Sequence, residues 1–160
     1  MLRTLFLMTT LALIVRLAYG ETPTGTIIIY RQRGASVGFM HYSEGEHPTI
    51  ICDGAKVAKM RENRKATISA RIGTHFCEAE QEPPGALDAS SETISVDVKP
   101  NSTIYIRLGI RFGHLHFVLR EISNEIGSAE SERMRPVKDK DSYTLTLPPV
   151  REKQVSQSGR

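Results

Sequence analysis

Cys52 and Cys77 are the two cysteines of this 160-residue chain, and Cys52 opens the triplet Cys52-Asp53-Gly54 within TIICDGAKVAKM (49–60). A cysteine beside a carboxylate suggests a reactive thiolate, a buried thiol or half of a disulfide. A nucleophilic thiol needs an adjacent base or cation that lowers its pKa, and the flanking residues supply none. Asp53-Gly54 instead lies between two apolar runs, TIIC and KVAKM. A two-residue hairpin turn takes positive φ at both central positions, and Asp-Gly meets that demand at little cost. Asp53 and Gly54 are therefore read as turn residues. An even cysteine count, if the chain folds in an oxidising compartment, favours a Cys52–Cys77 disulfide over two buried thiols or one reactive thiol. Closing a loop of about 25 residues would stabilise the fold by about 3 kcal/mol on chain-entropy grounds.

Histidine offers the next chemistry. His114 and His116 stand two apart in HLHFVLREI (114–122), so strand geometry puts both imidazoles on one face. With a third ligand from a neighbouring strand they would hold a metal ion. The competing reading is a pair of outward polar residues. The chain contains no His-Glu-x-x-His or Cys-x-x-Cys frame, and no cofactor is expected. Tyr105, Arg107, Arg111 and Arg120 share the outward faces of two adjacent predicted strands, a surface suited to a carbohydrate, an anionic polymer or a lipid headgroup. Local pairing with Glu121 or Asp97 is the plainer use of those arginines, and surface pairs contribute only about 0–1 kcal/mol. The sequence has no Gly-rich phosphate loop and no Gly-x-Ser-x-Gly elbow, and no close carboxylate pair marks a predicted cleft. An enzyme is not expected.

The elements that must position these residues are strands. GTIIIYR (25–31) is a continuous β-branched run, as in a strand covered on both faces. SVGFMHY (36–42) is a second candidate. ATISARI (66–72) alternates, with Ile68, Ala70 and Ile72 on one face. HFCEAE (75–80) follows a turn at Gly73-Thr74, and QEPPGALDASS (81–91) reads as a loop. TISVDV (93–98) points Ile94, Val96 and Val98 inward. TIYIRLGIRF (103–112) points Ile104, Ile106, Leu108, Ile110 and Phe112 inward, and HLHFVLREI does the same with Leu115, Phe117 and Leu119. Asn101-Ser102-Thr103 has the form of a glycosylation acceptor and is read as a turn. Seven or eight short strands between turns predict an all-β fold, an antiparallel β-sandwich, over residues 21–125. Residues 126–160 are expected to hold a short helix or turn and then a mostly disordered tail, with an extended piece at 143–147.

The first twenty residues stand apart. An early cation, Arg3, precedes an apolar run from Leu5 to Val15, and small residues at Ala18 and Gly20 close the segment. This is the pattern of a signal peptide cut after Gly20. Arg16 favours a cleaved signal over a permanent anchor, and no later stretch is apolar enough to span a membrane. The whole chain carries net charge +3, from 21 basic and 18 acidic residues. Without Arg3 and Arg16 the balance is 19 to 18, net +1. A nearly neutral exported domain lacks the broad positive field that nucleic-acid binding uses.

Four segments together, GTIIIYR, IICDGAKVAKM, IGTHFCEA and VKPNSTIYIRL, resemble the bacterial family called domain of unknown function 2846. The shared positions are Tyr30-Arg31, Asp53-Gly54, Gly73 with His75, and Tyr105 to Arg107, over about residues 25 to 125. The middle hairpin is also similar to the Pro-Glu-Gly-Ala surface-domain repeat. Ile72 and Asn101 stand where that family has Pro and Gly, and Ala66-Thr67 replaces an aromatic residue. The resemblance implies an exported envelope protein with an Ig-like or carboxypeptidase-regulatory-like sandwich, and no catalytic residues. The resulting expectation is a non-enzymatic binding or structural module, periplasmic or extracellular. Its partner would be an envelope protein or a cell-wall polymer. The second expectation is a carbohydrate- or anion-binding accessory domain, and the third a metal-dependent enzyme.

Overall fold

The computed structural model describes residues 23–33, 47–80, 92–111, 116–143 and 146–147. The chain forms strands where β-branched residues alternate with polar ones, because one face of each strand is buried and the other wet. These strands are β1 (Thr24–Arg31), β2 (Thr49–Cys52), β3 (Ala55–Lys59), β4 (Arg64–Arg71), β5 (Gly73–Glu80), β6 (Ile94–Val98), β7 (Thr103–Arg111), β8 (His116–Ile122) and the two-residue β9 (Arg135–Pro136). One helix, α1 (Asn124–Glu132), follows β8, and a 3-10 turn covers Asp139–Asp141.

The strands form two sheets, a larger one in the order β8-β7-β1-β4-β9 and a smaller one in the order β3-β2-β5-β6. Their inner faces make one core. Ile27, Ile29, Ile68 and Ile106 come from the larger sheet, and Ile50, Cys52, Cys77 and Val96 from the smaller. The all-β sandwich is thus present. The described residues form nine strands, and the sandwich is not wholly antiparallel: β1 runs parallel to β7, and β4 parallel to β9. The uninterrupted apolar run of β1 now has its reason. Ile27 and Ile29 face the other sheet, while Tyr30 on the outer face is buried as well.

The chain passes from the larger sheet to the smaller at Ile72-Gly73, between β4 and β5. Ile72 therefore leaves the inward row of Ile68 and Ala70 and stands 43% exposed. The β2–β3 hairpin turns at Asp53 (φ 52) and Gly54 (φ 77), the two left-handed positions of a type I′ turn.

The tail is the larger correction. Expected to be mostly disordered, it packs against the sandwich as far as it is described. Val137 donates to Lys65 O at 2.9 Å, Tyr143 to Val57 O at 2.9 Å and Leu147 to Ser69 O at 2.9 Å. Ser142 bridges Ala58, and Thr146 bridges Ser69. Leu147 is fully buried in the core. The tail so covers the outer edges of β3 and β4, backbone that would otherwise invite pairing with another chain. The folded unit extends past residue 125. The signal segment 1–20, the strand expected at 36–42, the loop 81–91, Phe112, His114, Leu115 and residues 148–160 lie outside the described residues.

Candidate functional site

Cys52 and Cys77 face each other across antiparallel β2 and β5, with Cα atoms 4.1 Å apart, and their sulfurs are bonded. No thiol remains for nucleophilic chemistry at this pair. Both residues are fully buried on the inner face.

Next to them lies a pair of titratable side chains that the sequence did not announce. The type I′ turn aims Asp53 across β5. Its backbone N–H donates to Phe76 O at 2.8 Å, and its Oδ1 accepts from the Phe76 N–H at 2.9 Å. Its Oδ2 lies 2.6 Å from Nδ1 of His75. His75 shares the inward parity of Cys77 and is fully buried. Its Nε2 lies 2.7 Å from Arg71 O. A carbonyl only accepts, so Nε2 carries a hydrogen and donates it there. The imidazole therefore ties the β2–β3 turn to the corner where β4 becomes β5.

A carboxylate–imidazole pair orients a general base only if the far ring nitrogen faces a reacting group. Here it faces backbone. Both ring nitrogens and both carboxylate oxygens are taken by bonds that hold the fold; the imidazole is fully buried and the Asp53 side chain is 10% exposed. Asp53 thus serves both the turn and the clamp. The parity of His75 was readable from HFCEAE; its partner, 22 residues away, was not.

A second polar cluster lies on the outer face of the larger sheet, under α1. The Tyr30 hydroxyl donates to Glu130 Oε2 at 2.7 Å, and Arg107 Nη1 donates to Glu130 Oε1 at 3.4 Å. Burial raises the Tyr30 pKa above its ordinary value. The hydrogen bond to Glu130 and that carboxylate's charge raise it further, against a smaller lowering by Arg107. Gly127 lets the helix come this close: a Cβ there would collide with Cβ and Cγ of Tyr105. On the inner face, the buried Arg31 donates from Nη1 to Met60 O at 3.1 Å, and its guanidinium lies 5.1 Å from the Phe117 ring centroid.

The helix changes the arginine face read from sequence. Tyr105 lies beneath α1, and Arg107 is engaged by Glu130. Arg120, opposite Arg107 in register, is exposed. For Arg111 and His116 the structure describes backbone alone. Among the described residues, no three His, Cys, Asp or Glu side chains are placed to share a metal ion. No described helix is long and apolar enough to cross a membrane.

A groove of about 280 Å³ opens between the end of β1, the turn before β4 and the end of α1. Gln32, Arg33, Asn63, Ala129, Glu130, Arg133 and Met134 line it. Sequence reading missed this arginine pair, because Arg33 and Arg133 are a hundred positions apart and neither belongs to an alternating strand pattern.

The chain matches no family model, and no curated protein or solved structure shows significant similarity to it. The resemblance to the 2846 family rests on the quoted motifs.

Proposed function

We propose that the protein is an exported, non-enzymatic β-domain of the cell envelope, a module that binds or braces rather than transforms. The observation that carries this reading is the Asp53–His75 pair. It is the most catalysis-like constellation among the described residues, and its donors and acceptors are spent on backbone and on each other. The bonded pair Cys52–Cys77 suits an oxidising compartment, as does a leader ending at Gly20. The partner on this reading is another envelope protein or a cell-wall polymer.

The test is mass spectrometry of the chain expressed with its own leader in a bacterial host. The expected product begins at Glu21 and resists alkylation until reduced. A retained leader, or two thiols that alkylate without reductant, would overturn the export reading. Turnover of any substrate that is lost in His75→Asn with the fold intact would overturn the non-enzymatic one.

A second reading, a carbohydrate- or anion-binding accessory domain, is favoured by the groove, where Arg33 and Arg133 line one depression.

A further inference from the structure

We infer that the groove between β1 and α1 is a binding site for a phosphoryl group, held by Arg33 and Arg133. This deepens the binding-module reading and rests on it.

The arginines of the chain divide by what they already hold. Arg107 is engaged by Glu130, Arg61 by Asp141 at 3.0 Å, and Arg31 lies beside Glu62. Arg33 and Arg133 have no carboxylate partner among the described residues, although both line a groove that Glu130 also lines. Glu130 would be the natural partner. Its two oxygens are occupied by Tyr30 and Arg107 instead, so the acid of this groove is neutralised from behind. Among the described residues that line it, the charge left facing the groove is positive.

The neighbourhood reinforces that sign. Arg64 stands opposite both Arg31 and Arg135 in the strand register, at the same end of the larger sheet. Arg64 spends one N–H on Pro136 O, and neither it nor Arg135 has a carboxylate partner among the described residues. The carbonyl end of α1 opposes this field. It is a partial charge, against full charges on several guanidinium groups.

Phosphate fits the lining better than carboxylate does. One guanidinium fork satisfies the two coplanar oxygens of a carboxylate. A tetrahedral phosphoryl group offers further oxygens out of that plane, which can accept from a second arginine and from side-chain amides such as those of Gln32 and Asn63. Ala129 and Met134 supply an apolar floor for the carbon skeleton behind the phosphoryl group. That skeleton belongs to a small phosphomonoester or to a repeating unit of a phosphate-bearing polymer.

The experiment is titration of the full exported chain, followed by backbone and arginine side-chain NMR, with inorganic phosphate, with poly(glycerol phosphate) and with acetate. Expected are shifts at Gln32, Asn63 and the Arg33 and Arg133 side chains, with acetate the weakest ligand. Arg33→Gln/Arg133→Gln should weaken phosphate binding by at least about tenfold, since each charge-assisted bond is worth about that factor or more. Both side chains are exposed, so the variant should keep the wild-type melting temperature. Arg120→Gln, on β8, should bind as the wild type does. Binding of both phosphate probes assigns the site to the phosphoryl group itself, and binding of the polymer alone assigns it to a repeat unit. Shifts centred on Arg120, equal affinity for acetate, unchanged affinity in the double variant or no binding of either phosphate probe would each overturn the proposal. Failure here leaves the export test unaffected, and a retained leader would leave phosphate binding unaffected, so the two failures can be told apart.

Discussion

At the corner where β4 becomes β5, Asp53 and His75 bond to each other and to backbone, the imidazole out of reach of water and the carboxylate nearly so. Under α1, Glu130 accepts from the Tyr30 hydroxyl and from Arg107, whose side chain is 37% exposed. The first cluster is sealed beside a covalent cross-link; the second is a clasp that holds a helix against a sheet. Burial sets the stakes in each. A charge or donor with no route to water must keep its partner, whereas a half-exposed ion pair is screened and replaceable. The sealed corner is therefore expected to govern stability. The clasp is expected to govern how α1 docks and what the neighbouring groove presents to a ligand.

The sharpest way to break this comparison is His75→Ala. It leaves the Asp53 carboxylate and the Arg71 carbonyl without the fully buried imidazole that joins them, and should cost about 3–5 kcal/mol. Chemical denaturation measures this, and a loss below about 1 kcal/mol would mean the corner is not sealed. Removal of the cross-link comes next. Cys52→Ala/Cys77→Ala should lower stability by about 3 kcal/mol, from loop-closure entropy over a sequence separation of 25. The same loss should appear when the wild-type protein is fully reduced.

Two further predictions bear on the clasp. Gly127→Ala improves helix propensity by about 1 kcal/mol but drives a Cβ into the root of Tyr105. Such overpacking costs about 1–3 kcal/mol, so the net change should be a small loss. Hydrogen exchange should speed up in α1 while the protection of β2 and β5 persists. Faster exchange in both sheets would show that the clasp and the corner act as one unit.

The smallest expected effect depends on pH. A phenol whose folded pKa is raised stabilises the fold fully below the unfolded tyrosine value of about 10. Above that value the unfolded chain ionises while the folded one resists, so the contribution is lost as pH rises. Ultraviolet titration should show one tyrosine that ionises only together with alkaline unfolding, and Tyr30→Phe should abolish that linkage. Tyr30 itself ionising at the ordinary value in the folded state would place it in contact with water.

Local pattern accounts for much of this fold. Alternation placed Ile104, Ile106 and Leu108 inward, and Phe117 and Leu119 inward as well, because a strand has only two faces. Asp53-Gly54 dictated a left-handed turn, because few other dipeptides accept positive φ twice at low cost. The even cysteine count pointed to the Cys52–Cys77 bond.

Parity, however, assigns a side chain to a face without naming what it meets. The pairing of Asp53 with His75 depends on where β5 lands beside β2, and Tyr30 meets Glu130 across a separation of a hundred residues. The parallel placement of β7 on β1 requires the chain to leave one sheet and return to it. Leu147 ends the short piece 143–147, which reads as extended but not as part of a core. It is buried because its backbone pairs with the edge of β4 and its side chain joins the core, and both exist only once the sheets have formed. Short-range sterics and periodicity act within a few residues of chain. Polar partners, edge covers and the arginine groove are set by contacts between distant residues, which form only in the assembled sandwich.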